Sequence, residues 1–336
     1  MRKAFIDTIC ALAAEDARVL LLTGDLGYMV MEPFRERFPD RLINAGVAEQ
    51  NMVGMATGLA EGGFRPYVYS IAPFASLRPF EFIRNGPVLH HLPVRIVGMG
   101  MGFEYGHAGP THYAVEDIAA LRTLPGLTIV VPADSAQARH AVRATADLPG
   151  PVYYSLGKDD RLSVPGLDGR FALGKIQMTR QGSDAVILSM GSITTEAMRA
   201  AERLSSDGIE ASVAVVSSYN PDPTADLADL LSRHAVAVSV EAQTMSGGLG
   251  ACVASVIATR GLACRLRVLA VETSPDGGPI GRSRSTASWK RATRRYGRCA
   301  SRREGGARRF GRASPRPAAI CSATRTPRER RRAISS

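Results

Sequence analysis

Residues 127–143 read Leu-Thr-Ile-Val-Val-Pro-Ala-Asp-Ser-Ala-Gln-Ala-Arg-His-Ala-Val-Arg. Residues 127–131 make a short β-branched run, as a strand buried on both faces requires. Pro132 stops it, since proline cannot donate to a ladder. Asp134 and Ser135 can cap the helix that follows through Arg143. One complete strand-to-helix unit is therefore legible here, and the same rhythm extends in both directions. Residues 19–23, 65–70, 94–98 and 152–155 read as strands, and residues 48–61 and 115–122 as helices. Phe5, Ile9 and Leu12 mark one face of a further helix near the start. Short apolar runs separated by helices predict a parallel sheet covered on both faces.

Residues 157–182 interrupt this rhythm with Pro165, Gly166, Gly169 and Gly174, and read as a connection carrying one or two short strands. A second alternation follows. Strands are predicted at 185–189, 211–216, 235–240 and 266–271, and helices at 194–206, 223–233 and 247–260. The predicted fold class is α/β, with two parallel or mixed-sheet domains at 1–160 and 180–275 and a basic tail at 281–336.

A length of 336 residues suits about two domains. A hydrophobic fraction of 45% excludes wholesale disorder. No run approaches the ~18 apolar residues of a membrane span. Cys10, Cys252, Cys264, Cys299 and Cys321 show no regular spacing, which argues for a reducing, cytoplasmic setting over a disulfide framework. Arg2 and Lys3 precede a short apolar stretch, but Asp7 breaks it, so a helix is expected there rather than a secretion signal. The net charge of +11 is unevenly placed. Residues 281–336 hold 17 Arg and one Lys against Glu304 and Glu329, whereas residues 1–280 hold 24 basic and 29 acidic side chains. The basic segment fits a nucleic-acid-binding arm, a solvated tail or out-of-frame translation. The abrupt end of apolar patterning near Pro279 points to the last, which makes nucleic acid an unexpected partner.

Chemistry concentrates in two stretches. The first, Asn44-Ala-Gly-Val-Ala-Glu49-Gln-Asn-Met-Val-Gly-Met-Ala-Thr-Gly-Leu-Ala60, runs from a strand end into a helix rich in small residues. Glu49 stands in the first helical turn. It either complements the helix dipole or serves a ligand brought close by its small neighbours. The second, Gly106-His107-Ala108-Gly109-Pro110-Thr111-His112-Tyr113, follows a predicted strand end, where ligands gather in open α/β sheets. His112 and His107 are candidates there, since a glycine-rich loop seldom needs imidazoles for packing. His90 and His91 read as a helix end. Among Tyr67, Tyr69, Phe74, Phe80 and Phe82, core packing competes with ring stacking. Phe74, among Ala72, Pro73 and Ala75 in an expected loop, suits stacking. Ser246-Gly-Gly-Leu-Gly250 is half of a dinucleotide fingerprint and reads better as a tight strand-to-helix turn.

Together these motifs resemble the transketolase family over residues 1–275. The stretch around Glu49 is similar to its G-x-x-E-Q-x-M helix and Gly109–His112 to its G-P-T-H loop. Thr23-Gly24-Asp25-Leu26 is similar to its A-D-L strand end, Val131-Pro132-Ala133-Asp134 to its P-A-D strand end, and Glu241 with Gly247–Gly250 to its E…G-G-L-G turn. The resemblance covers only the last two of the family's three domains. It implies a separate N-terminal subunit of ~250–300 residues carrying the diphosphate and Mg²⁺ site, in an α2β2 assembly. It also implies thiamine diphosphate as cofactor, with its aminopyrimidine on this chain. Glu49 then corresponds to the glutamate that bonds the pyrimidine N1′ and shares a proton with it. Asp25 and Leu26 correspond to cofactor contacts, Phe74 or Phe82 to the stacking face, and His112 to a histidine that moves protons at substrate hydroxyls, with His107 nearby on the substrate side. The implied activity is ketol transfer from a ketose to an aldehyde.

Departures bear on the substrate. His107-Ala108 stands where the family carries an acidic residue, Gly100 where it has a histidine, and Leu156 near a phosphate-binding arginine, with only Lys158 close. An altered sugar or aldehyde is therefore expected. Alternatives are a β-type subunit of a 2-oxoacid dehydrogenase, a deoxyxylulose-phosphate synthase-like enzyme, and a non-catalytic nucleic-acid binder using the tail. Thr111-His112 favours the transketolase side.

Overall fold

In the computed structural model the described residues are 1–272. The basic tail at 281–336, and the three readings of it, lie outside them. The chain opens with α1 (Arg2–Glu15), β1 (Val19–Thr23), α2 (Glu32–Arg37), β2 (Leu42–Asn44), α3 (Glu49–Glu61) and β3 (Arg65–Ile71). Two short helices, α4 (Ala72–Ser76) and α5 (Phe80–Ile83), lead to β4 (Arg95–Met99). Then come α6 (Asp117–Leu121), β5 (Thr128–Val130), α7 (Ser135–Ala144) and β6 (Val152–Leu156). The second half holds β7 (Ile176–Arg180), β8 (Ala185–Ser189), α8 (Thr194–Ser206), β9 (Ala211–Val216) and β10 (Ser218–Tyr219), followed by α9 (Thr224–Ser232), β11 (Val236–Thr244), α10 (Leu249–Arg260) and β12 (Arg265–Val271).

These strands form a seven-stranded sheet, β10-β5-β6-β4-β3-β1-β2, and a five-stranded sheet, β12-β11-β8-β9-β7. β1, β4 and β6 are buried along their whole length, which is why they read as continuous apolar runs. In the 127–143 unit, Gln137 N donates to Asp134 Oδ1 at 2.8 Å and Val164 N to Oδ2 at 2.9 Å. One carboxylate thus caps α7 and pins the connecting segment.

Neither sheet is purely parallel. β7 joins β9 antiparallel, and β10, although it lies in the second half of the chain, joins β5 antiparallel. The two residues of β10 are too few to show a period, so the sequence carries no signal for this crossing. Fully buried Tyr219 anchors it. Phe74 lies in α4 rather than in the expected loop, because Pro73 at its start presets the helical φ. Arg95, the lone charge in an apolar strand, is buried and donates to the carbonyls of Gly150 (2.7 Å), Ala146 (2.9 Å) and Leu148 beyond α7.

Both sheets belong to one compact unit. Arg122 Nη2 donates to Asp222 Oδ2 at 2.8 Å and its Nη1 to Gly247 O at 2.9 Å. Gln243 Nε2 donates to Asp117 Oδ1 at 3.0 Å, while Tyr153 donates to Asp117 Oδ2 at 2.6 Å. Burial pushes the Asp117 carboxyl up, and these hydrogen bonds oppose it.

The Gly247–Gly250 turn is a carboxylate-capped helix start. Leu249 N donates to Glu241 Oε2 at 2.6 Å and Gly250 N to Oε1 at 2.8 Å. A Cβ on Gly248 would stand 2.0 Å from Glu241 Oε2, so only glycine lets the carboxylate reach these amides. Glu241 fills the place that a phosphate takes in a dinucleotide site. Burial pushes its carboxyl up from 4.5 to about 7, against the pull of the two amides. The folded state therefore holds the proton more tightly than the unfolded chain. The carboxyl's contribution to stability is full below pH 4.5 and declines as pH rises through about 7. Glu241→Gln, which cannot titrate, is expected to flatten the dependence of the denaturation midpoint on pH between 5 and 7. It should also cost about 1–3 kcal/mol, because an amide N–H then faces one of the two donors. Chemical denaturation across that pH range checks both.

Candidate functional site

The site lies at the carboxyl ends of β1, β2 and β3, where the chain leaves the seven-stranded sheet. Glu49 is the first residue of α3 and is 2% exposed. Arg78 Nη1 donates to both carboxylate oxygens, at 3.1 Å to Oε1 and 3.0 Å to Oε2, and Ser70 Oγ donates to Oε1 at 3.4 Å. Met52 lies beneath, fully buried. The surroundings of Glu49 therefore include one cation. The Arg78 guanidinium also lies over the Phe74 ring, 3.7 Å from its centroid. Phe74 meets His112 edge-on at 4.9 Å between ring centroids. Glu49, Arg78, Phe74 and His112 thus form one contiguous chain of contacts drawn from α3, the segment after α4, α4 itself and the Pro110–His112 turn.

His112 is half-buried, and its Nδ1 lies 2.9 Å from Thr111 Oγ1. That contact leaves Nε2 without a protein partner among the described residues. Tyr105 lies 6.3 Å away, ring to ring, and carries the Lys158 ammonium over its face at 3.9 Å. Lys158 N in turn donates to Glu104 Oε2 at 2.5 Å, and Ser192 Oγ donates to Glu104 Oε1 at 3.0 Å. Burial raises the Glu104 carboxyl, and these bonds oppose it. His107 is exposed in the Gly106–Ala108 turn and has no hydrogen-bonding partner among the described residues.

Asp25 and Leu26 sit in the loop after β1. Asp25 has φ 58, and it is fixed by a reciprocal pair with Asn44: Asp25 N donates to Asn44 Oδ1 and Asn44 Nδ2 to Asp25 Oδ1, both at 3.0 Å. Asn44 Oδ1 also accepts from Gly46 N at 3.0 Å, so one side chain shapes both loops that flank Glu49. Thr23 Oγ1 donates to Leu26 O at 2.8 Å. Phe82 lies apart from this cluster. It is 44% exposed and packs near Gly54 on the outer side of α3. Around the cluster, Tyr28, Met29, Val47 and Leu77 are also exposed. A cleft of about 470 Å³ lies apart from this cluster, between α1 and α7 around Asp7 and His140.

Sequence reading missed Arg78 and Ser70. A basic residue between Leu77 and Pro79, in a stretch otherwise made of small and apolar groups, was the available signal for the first. Ser70 gave none, since serine is common at strand ends.

Residues 1–160 match the family described as transketolase, pyrimidine binding domain, and residues 174–282 match transketolase, C-terminal domain. The chain is 33% identical over 270 residues to one subunit of the apulose-4-phosphate transketolase of Phocaeicola vulgatus, covering 79% of this chain and 86% of that one. It is 35% identical over 256 residues to the 6-deoxy-6-sulfo-D-fructose transketolase subunit SqwH of Clostridium sp. strain MSTE9, covering 76% and 79%. A solved split-gene transketolase, an inactive beta4 tetramer, superposes with a TM-score of 0.77 at 32% identity, over 86% of this chain and 92% of that one.

Asn44→Ala is expected to speed amide exchange over residues 24–30 about tenfold, while moving global stability by no more than about 1–2 kcal/mol. Hydrogen-exchange mass spectrometry with a denaturation curve checks this. By its two matched domains, its relatives and its fold, the chain belongs to the transketolase family, as the pyrimidine-binding and C-terminal part of a split transketolase-like enzyme.

Proposed function

We propose that this chain is the subunit of a thiamine diphosphate-dependent transketolase-like enzyme that holds the aminopyrimidine end of the cofactor and works only with a second, N-terminal subunit. The observation that carries this is a carboxyl that is 2% exposed at a helix start, beside an aromatic ring that already takes a flat group at 3.7 Å. A pyrimidine needs the same two things, a hydrogen-bonding carboxyl for a ring nitrogen and a face to stack on. The exposed Tyr28, Met29, Val47 and Leu77 around the cluster leave a wall for another chain to complete. We place the diphosphate and Mg²⁺ with that chain, in an α2β2 assembly.

Thiamine diphosphate, bound there, would supply the electron sink that cleavage of a carbon–carbon bond beside a carbonyl requires. Glu49 would hold a proton at the pyrimidine N1′, with Ser70 fixing the carboxyl's orientation. Phe74 would set the plane of the ring, and Asp25 and Leu26 would border it. The choice between Phe74 and Phe82 as stacking face falls on Phe74, since Phe82 packs on the outer side of α3. His112, held at Nδ1 by Thr111, would keep Nε2 for proton transfer at a substrate hydroxyl. His107 would stand at the mouth of the site.

The nearby ammonium of Lys158 is committed to the Tyr105 ring, and Leu156 is buried in β6. A modified sugar or aldehyde therefore suits the site better than an ordinary sugar phosphate. Both named relatives act, by their names, on uncommon sugars. We place the enzyme in the cytoplasm, in keeping with the unpaired, buried Cys10, Cys252 and Cys264.

Steady-state assays of the reconstituted pair test the proposal. Glu49→Gln is expected to lower ketol transfer by about a thousandfold or more, and His112→Ala by about a hundredfold or more. Removing residues 281–336 should leave activity intact. Full activity of Glu49→Gln would overturn the proposal. Loss of activity with the tail, together with salt-dependent nucleic-acid binding by the full chain, would favour the nucleic-acid reading.

A further inference from the structure

The Arg78 guanidinium occupies the space that the cofactor reading reserves for a ring. It is planar, its Nη1 donates to both oxygens of Glu49 at 3.0 and 3.1 Å, and its central carbon stands over Phe74, 3.7 Å from the ring centroid. A flat, nitrogen-bearing heterocycle bonded to Glu49 and stacked on Phe74 would need those same contacts. Both groups cannot hold them at once. We infer that Arg78 is a displaceable placeholder for the aminopyrimidine, closing the Glu49–Phe74 pocket in the free chain and swinging out when the ring enters.

Three features make the placeholder displaceable rather than structural. Its side chain is 43% exposed whereas that of Glu49 is 3% exposed, so the guanidinium has solvent to move into and the carboxylate does not. Solvent at the exposed partner weakens the pair, and a cation over the half-buried Phe74 ring adds a modest further amount. Arg78 sits between α4 and α5, with exposed Leu77 before it and Pro79 after it, and the polar and ring contacts of its guanidinium within the described residues are those to Glu49 and Phe74. The pair also has a purpose. Glu49 sits at the sheet's edge with its carboxyl buried, and a buried carboxylate with no partner is costly. Arg78 supplies that partner until a ring nitrogen does. The consequence is a loss of affinity, since a ligand must first open the pair and its apparent affinity falls by the fraction of molecules already open.

The inference rests on the cofactor reading, and one titration separates the two. Thiamine, which carries the aminopyrimidine but no diphosphate, is titrated calorimetrically into the isolated full chain. The proteins are the wild type, Arg78→Ala, Arg78→Lys and Arg78→Ala with Glu49→Gln, each checked for folding by its denaturation midpoint. The expected result is binding about tenfold tighter in Arg78→Ala than in the wild type. Arg78→Lys should fall between them, because lysine keeps the charge but loses the planar stack. The double variant should lose the gain. Equal or weaker binding in Arg78→Ala would overturn the placeholder and make Arg78 an ordinary ligand-binding residue. So would an absence of binding in both. Binding undiminished in the double variant would instead contradict the cofactor reading, since the ring would then not depend on Glu49.

Discussion

A carboxyl buried at the first turn of a helix must be given hydrogen bonds. In this chain Glu49 receives them from Arg78 and Ser70, and the arrangement of the surrounding elements follows from that need. The parallel strands bring the α3 start, the end of β3 and the α4 helix to the same edge. Asn44 holds the two loops ahead of Glu49 in register. The aromatic face of Phe74 then lies against the same guanidinium, and His112 against the same ring. A ligand that met the carboxyl would also meet the ring and the imidazole.

The second half of the chain contributes by bracing this edge. Glu104, at the far side of the cluster, is held by Lys158 from the end of β6 and by Ser192 from the start of the second sheet's helices. Asp117 and Gln243, and Arg122 and Asp222, join the sheets at two further points. Glu241 occupies the α10 start so fully that no anion site remains there. The glycine-rich turn is thus explained by a carboxylate reaching backbone amides across a gap that any side chain would close.

Much of this was legible beforehand, and the reasons are local. The 127–143 unit shows its strand by a β-branched run, its stop by Pro132 and its cap by Asp134, and each signal acts over a few residues. Glu49 announced itself by standing at the head of a helix of small residues, and His112 by lying in a glycine-rich loop at a strand end. What was not legible depends on distant parts of the chain. β10 is two residues long and pairs with a strand some ninety positions earlier. Arg78 is an arginine like any other until folding lays it on Phe74. Phe74 and Phe82 could not be separated by spacing, because the two short helices that carry them, α4 and α5, set Phe74 against Arg78 and His112 and Phe82 against Gly54 of α3.

The most direct measurement is a structure of the assembled pair with thiamine diphosphate bound. The Glu49 carboxyl is predicted within about 2.6–3.0 Å of the pyrimidine N1′, with the ring stacked on Phe74 and the Arg78 guanidinium moved off both. A cofactor ring seated away from Glu49, with the Arg78–Glu49 pair intact beside it, would contradict this.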